Sequence, residues 1–163
     1  MACNEFHGFT GVHRRKVVRY ETKSTYQSIF LSLSCNHCKN PVCITICPEN
    51  NYRKRQDGIV ILDSMNCKAC LRCVEACPFQ APKLNPKTHR TDKCDFCVER
   101  IDQGLRPVCV DNCPTGALSM ILAERNENDP HLLKNLDIPI MSYTNPSIYI
   151  VEKLVGRRFL LEG

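Results

Sequence analysis

Polar and apolar positions alternate through Tyr26–Ser34, placing Ile29, Leu31 and Leu33 on one face, which predicts a strand. The Lys/Arg-rich stretch Arg14–Arg19 reads as an exposed β segment. Asp57-Gly58 followed by Ile59-Val60-Ile61-Leu62 predicts a turn into a buried strand. Val98–Gly104 has the length of about two helical turns, with Gly104 as the stop. Ala117–Leu122 and Ser147–Val151 read as further short strands, Glu124–Asp129 as a charged loop and His131–Leu136 as a short helix. No stretch reaches the roughly 18–20 apolar residues that span a bilayer. The longest uncharged runs, Ser24–Cys38 and Ile138–Val151, are shorter, and Pro139 and Pro146 break the second. No apolar segment of the signal-peptide kind follows Met1.

Elements this short need something to organise them. A chain of 163 residues suits one domain or two small ones packed together. Hydrophobic residues make up 43% of it, but that figure counts 13 cysteines. Without them the share falls to about a third, a thin core for this length. Thirteen is odd, so a fully paired disulfide scaffold leaves one thiol over.

The cysteines fall into groups. After Cys3 come Cys35, Cys38, Cys43 and Cys47, then Cys67, Cys70, Cys73 and Cys77, then Cys94, Cys97, Cys109 and Cys113. Each group of four ends in Cys-Pro, at Pro48, Pro78 and Pro114. The spacings are C-x2-C-x4-C-x3-C-P, C-x2-C-x2-C-x3-C-P and C-x2-C-x11-C-x3-C-P, an irregular internal repeat. A C-x2-C-x2-C-x3-C-P run is the bacterial iron–sulfur signature. Three thiolates close in sequence curl a tight loop round one face of a [4Fe–4S] cube and turn amide N–H groups toward its sulfurs. The fourth cysteine cannot bend back to that cube; it is expected to open a helix, with proline in the first turn, and to ligate a second cluster. Two adjacent runs therefore exchange fourth ligands. Cluster 1 takes Cys35, Cys38, Cys43 and Cys77, and cluster 2 takes Cys67, Cys70, Cys73 and Cys47.

Other uses of cysteine fit less well. Zinc sites need two pairs per metal rather than triplets with a trailing Cys-Pro. Disulfides across CxxC pairs are strained in most backbones. A thiol redox pair needs only one CxxC and leaves the rest unexplained. The formal charge of +5 invites a nucleic-acid partner. Twelve thiolates around three 2+ cores bring the total to about −1, so the basic excess becomes counter-charge for clusters and no nucleic-acid partner is expected. The basic stretches Arg14–Lys16 and Arg53–Arg55 read as solvated or partner-facing. His7, His13, His37, His89 and His131 form no metal-spaced set. His37 lies inside the first cluster loop, where a surface or packing role outweighs tuning of a potential. No catalytic residues stand out.

The stretches "LSLSCNHCKNPVCITICP", "CKACLRCVEACPFQAPKLN" and "TDKCDFCVERIDQGLRPVCVDNCPTGAL" resemble the iron–sulfur electron-transfer subunit of the dimethyl sulfoxide reductase and molybdopterin oxidoreductase family. The resemblance covers nearly the whole chain. It implies an α+β, ferredoxin-like fold, a double bacterial-ferredoxin module of short β-hairpins and small helices around [4Fe–4S] clusters. The expected division is an outer half over 1–33 and 78–150, an inserted two-cluster half over 34–77 and a C-terminal tail over 151–163. The implied function is electron relay between a membrane quinol-oxidising anchor and a molybdopterin-containing catalytic subunit. No membrane span of its own is expected: the subunit would be assembled in the cytoplasm and held at the membrane by its partners. A free-standing soluble polyferredoxin is the alternative, and a zinc-stabilised binding module a third reading.

The family carries a further group, C-x2-C-x2-C-x3-C, ahead of those above. Here the chain begins Met1-Ala2-Cys3, and Cys3 matches the last cysteine of that group. The expectation is a fragment or a misplaced start, with Met1 an internal methionine; a three-cluster variant is the alternative. Three clusters are expected in this chain, four with the motif restored. Family pairing implies that Cys94, Cys97 and Cys109 take Cys3 as fourth ligand, leaving Cys113 orphaned. The rival assignment closes cluster 3 with Cys113 and frees Cys3. Family members also carry Gly soon after Cys-Pro, as in Pro114-Thr115-Gly116; here Asn50 and Gln80 follow Pro48 and Pro78 instead. Asn tolerates positive φ; Gln80 is less easily accommodated.

Overall fold

Antiparallel hairpins alternate with cysteine loops along the chain. The computed structural model describes residues 2–8, 11–21, 28–121 and 142–150. Strand β1 (Lys16–Glu21) pairs with β2 (Ser28–Leu33), with Val18 opposite Leu31. Strand β3 (Tyr52–Lys54) pairs with β4 (Val60–Leu62), and β5 (Lys83–Asn85) with β6 (Arg90–Asp92). Short helices fill the intervals: α1 (Ala2–Phe6), α2 (Val42–Thr45), α3 (Arg72–Ala76), α4 (Val98–Asp102) and α5 (Val108–Asp111). The result is a small α+β protein in which β2, β4 and β6 each lead into a cysteine group.

Local chemistry explains most of these boundaries. Asp57 accepts the Ile59 N–H at 3.1 Å, and Gly58, at φ +85°, closes the turn between β3 and β4. Gly104, at φ +73°, ends α4, where its N–H donates to the Ile101 carbonyl. The apolar core is small. Tyr52, Val60 and Cys73 are buried together, with Cys43, Ile44, Cys47, Leu62 and Val74 packed against them. Tyr52 and Val60 each contribute about 1.5–3 kcal/mol of burial. Most of these residues come from cysteine-bearing helices or the turns that follow them, so the core is continuous with the cysteine groups.

Two expected strands are not formed among the described residues. Residues 117–121 carry no strand, because every described ladder is two-stranded and already paired. Residues 147–150 are not a strand either. Their segment runs as a strap along the first cysteine loop through single bonds: Ser147 N–H to the Asn36 carbonyl, and Lys39 and Asn40 N–H to the carbonyls of Asn145 and Thr144. The loop expected at Glu124–Asp129 and the helix at His131–Leu136 lie outside the described residues.

The Cys-Pro pairs do not open helices. The third cysteine of each group sits in a helix, Cys43 in α2, Cys73 in α3 and Cys109 in α5, and the fourth follows it. Proline then enters a four-residue turn. Asn50 donates to the Cys47 carbonyl, Gln80 to that of Cys77 and Gly116 to that of Cys113, at 3.0–3.2 Å. The closing residues share a left-handed backbone, at φ +52°, +51° and +64°. Gln80 therefore adopts the geometry that glycine holds after Pro114. Gln80→Gly should stabilise the protein by up to about 1 kcal/mol: left-handed strain of about 1–2 kcal/mol is relieved, offset by the greater freedom of unfolded glycine. Thermal unfolding of the metal-loaded protein reads this; an unchanged or lowered midpoint would show that any strain at Gln80 does not exceed the entropic cost of glycine.

Candidate metal centre

Each C-x2-C loop is bent by non-glycine backbone in the left-handed region: His37 at φ +43° in the first, Ala69 at +51° in the second, and Phe96 at +62° with Cys97 at +51° in the third. That conformation is costly outside glycine, of order 1–3 kcal/mol, and is kept where function demands it. Its effect here is to aim N–H groups at sulfur. Ala69 N–H points at Cys67 Sγ and Phe96 N–H at Cys94 Sγ, both at 3.4 Å, and Thr91 N–H reaches Cys67 Sγ at 3.5 Å. Successive amides turned toward one point form an anion-binding concavity.

The first and second cysteine groups interleave. One cavity is lined by Cys35, Cys38, Cys43 and Cys77, with Val60, Ala81 and Lys93. Another is lined by Cys47, Cys67, Cys70 and Cys73, with Tyr52, Leu62 and Thr91. Cys47 and Cys77 thus leave their own groups and join the other's. The helices account for this: α2 and α3 pack against each other, and each delivers the next cysteine across the contact.

The third group is assembled from more distant parts. α1 packs on α5, which sets Cys3 near Cys97 and Cys109; burial first, then those two thiols, push the Cys3 pKa up. Cys113 lies elsewhere, at its own turn. Its Sγ is 3.6 Å from Thr115 Oγ1, and that hydroxyl, followed by the N–H groups of Leu118, Thr115 and Ala117, lowers its pKa. Burial pushes Cys94 up to about 12, with Cys35 among the charges that add to the rise. The first and third groups therefore meet at Cys94.

Several flanking residues escape a reading by spacing. Arg14, expected to be solvated or partner-facing, is instead half-buried and pairs with Asp92 and Asp95 at 3.0 Å each. Arg55 likewise pairs with Asp57 and Asp102. His7 belongs to no spaced metal set in the sequence, yet its ring meets Asp95 and Cys97. Its Nδ1 lies 3.2 Å from the Arg14 guanidinium, which only donates, so Nε2 carries the proton toward Cys97 Sγ at 3.5 Å. Burial and then Arg14 lower the His7 pKa, keeping the ring neutral. The arrangement makes His7 a hydrogen-bond donor to sulfur. His37 is buried, accepts the Val60 N–H at Nδ1 and stacks edge-on against Phe96, a packing role.

The donor sets fit a thiolate-bound iron–sulfur group. Every described cysteine is a free thiol. Burial raises Cys43 to about 12, and its neighbours Cys35, Cys77 and Cys38 add to the rise. Cys38 and Cys77 are also raised, with burial leading. Such crowding disfavours free thiolates and favours a cation that displaces their protons. Burial acts to raise Cys67 as well, but the Thr91 and Ala69 N–H groups together bring it below its usual value. Burial, then Cys73, holds the Tyr52 hydroxyl well above the phenol range, so it stays a neutral donor beside the second cavity.

A family model described as a 4Fe-4S dicluster domain matches residues 26–123. The chain is 33% identical over 162 residues to the beta subunit of anaerobic dimethyl sulfoxide reductase of Escherichia coli (strain K12), a match covering 92% of this chain and 79% of that protein. It is 43% identical over 108 residues to the beta subunit of tetrathionate reductase of Salmonella typhimurium, covering 66% of this chain and 43% of that one. It is 41% identical over 99 residues to the thiosulfate reductase electron transfer subunit of Salmonella typhi, covering 60% and 52%. Among the described residues no helix is long and apolar enough to cross a membrane.

Proposed function

The chain belongs to the 4Fe-4S dicluster family and, within it, to the iron–sulfur electron-transfer subunits typified by that of dimethyl sulfoxide reductase, and we propose that it relays electrons between a membrane quinol-oxidising anchor and a molybdopterin-containing catalytic subunit. Clusters of this kind carry one electron at a time with little change of structure. The protein's part is to hold them at fixed spacing, exclude solvent and set their electrostatic surroundings.

Three ligand sets follow. Cys35, Cys38, Cys43 and Cys77 hold the first cluster; Cys67, Cys70, Cys73 and Cys47 hold the second; Cys94, Cys97, Cys109 and Cys3 hold the third. Cys113 stands outside them. The observation that carries this reading is the exchange of Cys47 and Cys77 between two cavities, each lined by four cysteines. The layout is a double ferredoxin module, with residues 34–77 inserted into an outer half formed by 1–33 and 78–150. Attachment to the membrane through partner subunits is supported by the relatives, which are subunits of larger reductases, among them dimethyl sulfoxide reductase and tetrathionate reductase.

Anaerobic preparation tests the reading directly. Brown protein with broad absorption near 400 nm is expected, with about twelve iron and twelve acid-labile sulfide per chain. Dithionite should then produce a paramagnetic signal. Colourless protein holding stoichiometric zinc would end the proposal.

A further inference from the structure

Lys93 is buried, at 2% exposure, although it sits in a polar stretch between Asp92 and Cys94. Its ammonium donates to the carbonyl of Val60, in β4, and to that of Cys94 at 2.9 Å. Both partners are neutral, so the positive charge is held in place without being cancelled. A buried charge without a counter-ion costs several kcal/mol in a protein interior. The flanking carboxylates Asp92 and Asp95 are engaged by Arg14, which leaves the sulfurs as the groups whose charge Lys93 offsets. Lys93 lines the cavity of Cys35, Cys38, Cys43 and Cys77 and adjoins Cys94 of the third group. It does not line the cavity of Cys47, Cys67, Cys70 and Cys73, whose lining lysine, Lys68, is highly exposed, pairs with Glu49 and is screened by water.

We propose that Lys93 is a shared counter-charge for the first and third iron–sulfur sites, raising the reduction potential of both relative to the second. The inference rests on the ligand sets above. Its position bears on both groups: it lines the first cavity and is bonded to the carbonyl of Cys94 in the third group. Reduction adds one negative charge to a site, and a fixed cation in a low-dielectric wall favours the more negative form. Spanning the wall between two sites, one side chain moves both potentials in the same direction.

The test compares Lys93→Gln, which keeps N–H donors for the two carbonyls but removes the charge, with Lys93→Arg, which keeps the charge. Loaded full-length protein is titrated potentiometrically and followed by electron paramagnetic resonance, with iron and sulfide counted in each variant. In Lys93→Gln two of the three midpoints should fall while the third stays. The expected fall is at least tenfold in the reduced-to-oxidised ratio at a given potential, about 59 mV for a one-electron couple. Lys93→Arg should keep the original midpoints. Unmoved potentials in loaded Lys93→Gln overturn the inference, as does an equal fall at all three sites or a fall in Lys93→Arg matching that in Lys93→Gln. Wild-type protein without iron overturns the ligand sets and this inference together.

Discussion

Replacing Cys77 with serine is expected to abolish the same resonance signal as replacing Cys35, and to leave intact the signal lost on replacing Cys70. In sequence Cys77 belongs with Cys70, four residues after Cys73. In space it lines the cavity of Cys35, Cys38 and Cys43. Cys47→Ser gives the reciprocal result and groups with Cys70→Ser. The expected loss is large, up to a whole cluster of about four irons, because a serine oxygen is a harder and weaker partner for iron–sulfur iron than thiolate. The effect reaches stability as well. The apolar core of Tyr52, Val60 and Cys73 abuts these cavities, and binding free energy at such a site is folding free energy. The measurement is iron per chain together with the low-temperature spectrum of each reduced variant. Cys77→Ser behaving like Cys70→Ser would show that each group closes on its own metal.

Cys3→Ser is expected to match Cys97→Ser, with the third signal lost or altered, while Cys113→Ser keeps all three. Cys3 is pressed by Cys97 and Cys109 across the α1–α5 contact, whereas Cys113 bonds to its own turn through Thr115, Leu118 and Ala117. The same comparison of spectra and iron counts decides it. Undiminished iron in Cys3→Ser, with loss in Cys113→Ser, would assign the fourth position to Cys113 instead.

The hairpins were legible where turn chemistry and alternation coincide. Asp57-Gly58 announces its turn, and the alternation around Ile29–Leu33 announces β2. The interleaving of cysteine groups follows from the spacing, since a cysteine four residues beyond the triplet, past the end of a short helix, is carried away from its loop. Segments 117–121 and 147–150 look like strands because apolar residues cluster there, yet a strand also needs a partner edge, and composition does not supply one. Helix expectations at the Cys-Pro pairs failed for a related reason: proline tolerates a first helical turn but equally suits a β-turn, and the left-handed residue two positions later decides for the turn. Least legible were the long-range polar contacts. Arg14 lies 78 residues from Asp92 and His7 lies 90 from Cys97, separations that no local pattern encodes. Lys93 reads as a surface lysine in "TDKC", and only its bond to the Val60 carbonyl, 33 residues away, shows that it is enclosed.

The exchange of Cys47 and Cys77 also orders events as the chain leaves the ribosome. The cavity that includes Cys47 receives its last sulfur at residue 73, whereas the one founded on Cys35, Cys38 and Cys43 stays open until residue 77 has emerged. The group Cys35–Cys47 is thus made before the group Cys67–Cys77, yet on the proposed ligand sets its own site is completed after the other, and neither pocket can be sealed around metal while the hairpin between them is still being made. A nascent chain that stalls between residues 48 and 66 holds four cysteines of one group but no finished site.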